Sequence, residues 1–293
     1  MVIPWFTLPP LDLTALGLGK LYWFAVLVVA GIILGVMFYD RITLRGGDVD
    51  VKVARLMPEA AVIGGFIGAH LVHVLLYHPE LMDDDPWILL KFWAGISSMG
   101  GFFGGALACI ALLLYYRQRM IPYGDRALFA LSIGWVFGRL GCATSHDHPG
   151  RLTDFFLAVQ FHDGARHDLG LYEFIYTVLL VGVLFWWTRR PWRTGSLMAI
   201  VLCSYGPLRF GFDFLRATDR DFVDARYWGL TPAQYGSVIL AVVGAALLYL
   251  GLSRPWPIQP PLWGPLSHRG GAPPPPVSPA ESPPPPPVPP PAA

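Results

Sequence analysis

Charge is what this chain has least of. Only 14% of its residues are Asp, Glu, Lys or Arg, against 54% hydrophobic, and the net charge is +1. With a positive mean hydropathy, that balance excludes an ordinary soluble domain and gives nucleic acid no footing as a partner. Cysteine is scarce too. Cys109 and Cys203 sit in apolar runs and Cys142 in a polar stretch, an odd number whose spacing builds no disulfide framework. The first 20 residues lack the basic start, apolar stretch and small-residue site of a cleaved signal peptide, so insertion is expected to fall to the first spanning helix. Gly-x-Ser-x-Gly, His-Glu-x-x-His and the phosphate-cradling P-loop are missing, which removes the soluble-enzyme chemistries those motifs carry.

What remains is apolar sequence at membrane length. A spanning helix needs about 20 mostly apolar residues, and seven segments qualify or nearly do: Leu21–Tyr39, Ala60–Tyr77, Gly95–Tyr116, Arg126–Gly141, Leu171–Trp187, Gly195–Phe214 and Ala233–Leu252. The expected fold is an all-α integral membrane protein of about seven helices over residues 1–253. Lys and Arg are biased twelve to seven toward the loops after the first, third and fifth segments plus the C-terminal tail. That bias places the N-terminus outside and the C-terminus in the cytoplasm. From residue 254 the chain turns proline-rich, and 254–293 is expected to be an extended, disordered cytoplasmic tail.

The stretch Gly138 to Thr153 organises the rest. It opens at the end of an apolar run and closes in a polar loop. Arg139 therefore lies at the rim of the hydrocarbon layer, where an arginine costs about 2.5–3.5 kcal/mol and calls for a partner or ligand. A planar fork of permanent charge there suits a phosphate or carboxylate, although an arginine can also snorkel to the interface without function. Arg209 is a second arginine near the same outer side, and Asp213, four residues on, shares its helix face. Two guanidinium groups suit a phosphodiester, with Arg151 and Arg216 widening the basic rim. Cys142-x3-His146-x-His148 has ligand types suited to zinc, but no fourth ligand has convincing spacing and no metal is expected. His70 and His73 are read as hydrogen-bonded within the bundle, with a proton relay as the alternative. Gly64-Gly65…Gly68 and Gly100-Gly101…Gly104-Gly105 read first as close helix packing and second as backbone bared to a lipid.

These residues carry a resemblance. Gly138-Arg139-Leu140-Gly141 followed by Pro149-Gly150-Arg151-Leu152-Thr153-Asp154 resembles the signature of bacterial prolipoprotein diacylglyceryl transferases. So, in order, do Ile88 to Ser97 with Gly100-Gly101, His167 before Leu171-Tyr172-Glu173, Tyr205-Gly206 with Arg209 and Arg216, and Gly229-Leu230-Thr231-Pro232-Ala233-Gln234. The resemblance covers residues 20 to 250. It implies an inner-membrane enzyme, without cofactor, that moves diacylglycerol from phosphatidylglycerol to the cysteine thiol of a prolipoprotein signal peptide. Arg139 and Arg209 would hold the phosphate. Tyr172 and Glu173 would bind the headgroup or orient an arginine, Asp213 and Arg216 would assist, and Gly150 would let the loop approach the lipid. The chain departs from the family at Met99, where a His or Tyr is usual before Gly-Gly, and at Cys142, where an Asn is usual. A methionine cannot shuttle a proton, so His146, Asp147 or His148 is expected as the substitute base. The alternative is a catalytically silent paralogue that binds lipid or signal peptide. A channel or transporter is disfavoured, because no inverted repeat or pair of broken helices appears.

Overall fold

The computed structural model describes residues 2–17, 19–45, 48–219, 226–254 and 256–263. Eight α-helices lie among them: α1 Trp23–Arg45, α2 Val51–Val72, α3 Leu81–Asp84, α4 Ser98–Tyr115, α5 Met120–Ser145, α6 Leu169–Trp187, α7 Ser196–Asp213 and α8 Pro232–Ser253. Six of them, all but the short α3 and α7, are long and apolar enough to cross a membrane. α7 matches α4 at 18 residues but carries Arg209 and Asp213 in its second half. Each expected segment falls on one long helix. Large apolar side chains such as Ile32, Met37, Ile63, Phe66 and Leu107 stand exposed, a surface that suits lipid and not water.

Glycines set the helix pairing. α2 lies on α4 so closely that a Cβ on Gly104 would sit 2.2 Å from the Gly64 carbonyl oxygen, and one on Gly68 would sit 2.6 Å from that of Gly100. Of the two sequence readings, close packing is the one observed. Gly104→Val should therefore destabilise the fold by about 1–3 kcal/mol or more, read as a lower thermal midpoint in detergent; an unchanged midpoint would refute the contact.

Three departures from the sequence reading have physical causes. The fourth segment was expected at Arg126–Gly141, yet α5 begins at Met120. Its polar start looked like a loop because the partners that satisfy it are distant in sequence. Arg126 is buried and pairs with Asp48, and Asp125 accepts hydrogen bonds from Gly195 N and Met198 N, capping α7. Next, the fold is not wholly helical. Short strands β1 Leu11–Asp12 and β2 Lys20–Leu21 pair ahead of α1. Between α5 and α6, β3 Pro149–Leu152, β4 Val159–Phe161 and β5 Gly164–Asp168 form a three-stranded sheet of order β3-β5-β4. Val159 and Phe161 turn inward and Gln160 outward, and Gly164 makes the tight β4–β5 turn at φ +132°. Last, the tail does not leave the domain at residue 254. β6 Trp192–Arg193 pairs with β7 Ile258–Gln259, Leu262 is buried, and Trp263 Nε1 donates to Thr188 Oγ1 at 2.9 Å. The proline runs at 273–276 and 283–287 lie outside the described residues.

The two ends of the domain are distinct. Ile3 bridges to Val159 at the end where α5 finishes. Residues 256–263 pack at the opposite end, where α6 finishes and Arg45 Nη1 donates to the Leu262 carbonyl.

Candidate active site

The last two turns of α5, the first turn of α6 and the second half of α7 meet at one polar centre. Asp168 fixes the start of α6 by accepting the Leu171 N–H at 3.0 Å, and this places Glu173 in the interior, 1% exposed. One carboxylate oxygen, Oε2, lies 3.0 Å from Arg139 Nε, and the other, Oε1, lies 3.7 Å from Arg209 Nε. Tyr205 O–H donates to Oε2 at 3.2 Å. Arg209 Nη1 donates to Asp213 Oδ1 at 2.9 Å, the pairing its spacing predicts. Arg216 lies 3.8 Å from the same oxygen. The Trp135 ring lies 5.5 Å from the Arg139 guanidinium carbon.

Asp213 is itself held by the Thr231 hydroxyl, the N-cap of α8. Thr231 Oγ1 accepts the Gln234 N–H, and Gln234 Oε1 accepts the Thr231 N–H, a reciprocal capping box. The Thr-Pro-Ala-Gln block thus has a mechanical meaning: it seats α8 and anchors the carboxylate that aims Arg209.

Both arginines are 9% exposed or less, yet both line a cavity of about 190 Å³. Arg216, Tyr205, Met99, Phe102 and Ala233 share its wall. Arg139 and Arg209 are braced there by two carboxylates, Glu173 and Asp213. Fixed, partly desolvated guanidinium donors of this kind fit an anionic group such as a phosphodiester.

His73, Tyr77 and His78 also line the cavity. α2 does not end as an α-helix; residues His73–Tyr77 form a π turn. In that wider turn residues five apart fall close to one face, and the His73 and His78 rings lie 4.7 Å apart. His78 Nδ1 is paired with Glu80 at 3.0 Å, whereas the His73 side chain makes no hydrogen bond or ion pair among the described residues. His70, read together with His73, goes elsewhere: it is fully buried, with its ring nitrogens 3.0 and 2.9 Å from the Gly95 and Ile88 carbonyl oxygens.

Several other expected site residues do not reach the cavity. His146, expected as the substitute base, ends α5 in the left-handed region at φ 51°. Its Nδ1 faces Asp168 Oδ2 at 2.5 Å and its Nε2 faces the Phe6 carbonyl at 2.9 Å, with Trp5 over the ring at 4.4 Å. Both nitrogens are occupied, so His146 clamps the N-terminal segment and has no free lone pair for a thiol. Asp147 is exposed and outside the cavity, and His148 is the one member of that trio on its wall. Arg151 is exposed and also outside. Gly150 admits protein and not lipid: a Cβ there would meet the Leu215 carbonyl at 2.6 Å. Tyr172 bonds His167 Nδ1 at 3.0 Å and does not line the cavity. Tyr205 entered the sequence reading only as part of a resemblance block and was given no role, and His78 was not singled out, because nothing in the sequence signals what a π turn will face.

The His146 clamp has a pH sign. Burial alone would lower the imidazole pKa, but the Asp168 carboxylate and the Phe6 carbonyl outweigh it and raise the value above the ordinary one. Its contribution is thus complete below about pH 6.5 and is lost as pH rises through the raised value. Protection of the amides of residues 2–6 against hydrogen exchange, taken relative to the intrinsic base-catalysed rate, should fall as pH rises above the ordinary imidazole range, and His146→Asn should abolish that pH dependence; protection that does not change with pH would contradict the clamp.

Comparison with known proteins places the chain among relatives. A model of the prolipoprotein diacylglyceryl transferase family matches residues 13–250. Phosphatidylglycerol–prolipoprotein diacylglyceryl transferases are among the similar proteins. The one from Chromohalobacter salexigens is 28% identical over 256 residues, covering 85% of this chain and 96% of that protein. That from Nitrosomonas europaea is 28% identical over 251 residues, 82% and 90%. That from Bordetella parapertussis is 29% identical over 260 residues, 84% and 97%.

Proposed function

Since the chain belongs to the prolipoprotein diacylglyceryl transferase family, we propose that its cavity holds the headgroup of phosphatidylglycerol while the diacylglyceryl unit passes to a prolipoprotein cysteine. The transfer itself follows from the family and from the names its relatives carry; the residue roles are read from the geometry. The observation that carries them is Glu173 bridging Arg139 and Arg209 beside one cavity.

In this reading the thiol sulfur forms a bond to the glycerol carbon, the carbon–oxygen bond to phosphate breaks, and glycerol phosphate leaves. The headgroup's single negative charge grows toward two as the ester oxygen departs. Arg139 and Arg209, already aimed by Glu173 and Asp213, meet that charge without reorganising. The thiol proton needs an acceptor, because the thiolate is the nucleophile. Met99, buried on the cavity wall, has no proton chemistry. His73 faces the same cavity unpaired, and we assign it that role, its proton passing on to the departing phosphate.

Seven spans, with the N-terminus outside, in the bacterial inner membrane complete the reading. Its support is the twelve-to-seven charge bias and the packing of the first and last described segments, at Ile3 and Leu262, at opposite ends of the domain. The cavity then opens in the outer half of the bilayer. The test is purified protein, phosphatidylglycerol vesicles and a lipobox peptide. Lipid-modified peptide is expected, with the rate falling about 100-fold in His73→Phe. Phosphatidylglycerol binding without transfer would favour the silent paralogue that Met99 suggests. An unaffected His73→Phe would remove that histidine from the mechanism.

A further inference from the structure

One group of side chains at this end of the molecule has no part in the transfer described above. Cys142 lies in the last turn of α5. After Ser145 the left-handed turn at His146 reverses the chain and brings Asp147 and His148 back beside that cysteine. Ligand atoms of Cys142, Asp147 and His148 lie within 4.8 Å of one another. His148 Nδ1 is buried and has no hydrogen-bond partner, although Asp147 Oδ1 is 3.2 Å away. The sequence pattern had grouped Cys142 with His146 and His148; the fold removes His146 to Asp168 and supplies Asp147 instead.

We infer that Cys142, Asp147 and His148 bind one thiophilic dication of the zinc class, whose remaining position receives the thiol of the acceptor cysteine. Sulfur, imidazole and carboxylate together form a zinc donor set. In a tetrahedral shell such donors stand roughly 3.3–3.8 Å apart, so closure from the observed spacing asks for small side-chain rotations. The charges balance: a thiolate and a carboxylate cancel the dication, and Arg139 faces no net like charge. Arg139 Nη1 lies 3.9 Å from Cys142 Sγ, and a coordinating thiol is deprotonated by the ion itself. Asp147 is exposed, giving the ion a path in from solvent. Three protein ligands leave a fourth position open, and His148 also lines the cavity that holds Arg139 and Arg209.

The role of the open position rests on the transferase reading. A thiol on such an ion loses its proton, here to His73. The sulfur lone pair then forms the carbon–sulfur bond as the phosphate leaves, and the metal keeps its oxidation state throughout.

The test uses the purified full-length protein in detergent, with Zn²⁺ or Co²⁺ alone and no lipid. About one equivalent of metal per chain is expected, with a sulfur-to-cobalt charge-transfer band. Cys142→Ser should lose the band, His148→Ala should lose most of the bound metal, and Cys203→Ser should keep both. Elution volume and helicity report on folding. A wild-type protein that binds no metal, or a Cys142→Ser protein that keeps the band, overturns the proposal. Absence of metal with normal lipid transfer would sink this site alone. Bound metal without any transfer would confirm the ion and discard the role of its fourth position.

Discussion

Arg139→Lys will lose lipid transfer by about 100-fold or more while the protein still inserts and folds. The substitution keeps the charge and removes the fork. Arg139 uses Nε on Glu173 and keeps its other nitrogens toward Cys142 and the cavity. An ammonium is one compact point charge and cannot satisfy the carboxylate and a phosphate oxygen in fixed directions together. Loss of one preorganised donor to a developing oxyanion costs about 10²–10³ in rate. Arg209→Lys should behave alike, since Nε faces Glu173 and Nη1 holds Asp213. Arg151→Ala, exposed and off the cavity wall, should change the rate less than about twofold. Initial rates on a lipobox peptide, with membrane insertion checked separately, decide it. If Arg139→Lys and Arg151→Ala transfer equally well, the cavity arginines have no part in the step.

The two arginines were legible because a guanidinium in an apolar segment is costly, and cost makes it conspicuous. Arg209–Asp213 was legible for a second reason: spacing of four fixes one helix face whatever the tertiary fold. Glu173 was different. It sits next to a tyrosine at the head of an ordinary apolar segment, and only the family resemblance gave it a role. Its bridging position comes from Asp168 capping α6 and from the approach of α5 and α7, none of which is local.

The misses share a cause as well. His146 is sent away from its neighbours Asp147 and His148, because a non-glycine residue in the left-handed region reverses the chain there. Propensity argues against that conformation, and it is held by contacts with Asp168 and Phe6 from far along the sequence. The π turn at His73–Tyr77 is similar. Counted at 3.6 residues per turn, His70 and His73 share a face; the wider turn pairs His73 with His78 instead. Arg126 looked like a cytoplasmic loop charge because its partner, Asp48, is 78 residues away.

Glu173→Gln is the sharper test of how the site is wired. The carboxylate is 1% exposed and faces two guanidinium groups that are buried themselves. Taking one partner from such a network costs about 3–5 kcal/mol, because buried charge is left uncompensated; a lower thermal midpoint is expected. A purely structural defect would stop there. If Glu173 aims the arginines, the kinetic constants will split. Without its negative charge the cavity gains one unit of positive charge, so the anionic lipid binds more tightly and KM falls. The guanidinium groups, no longer fixed by Nε, must reorganise as charge builds on the phosphate, and kcat falls with it, by about 100-fold. Phosphatidylglycerol titration in mixed micelles reads both constants from one series. A variant with lower kcat and raised KM would mean that Glu173 contacts the headgroup directly. One with unchanged kcat among folded molecules would reduce Glu173 to a packing element.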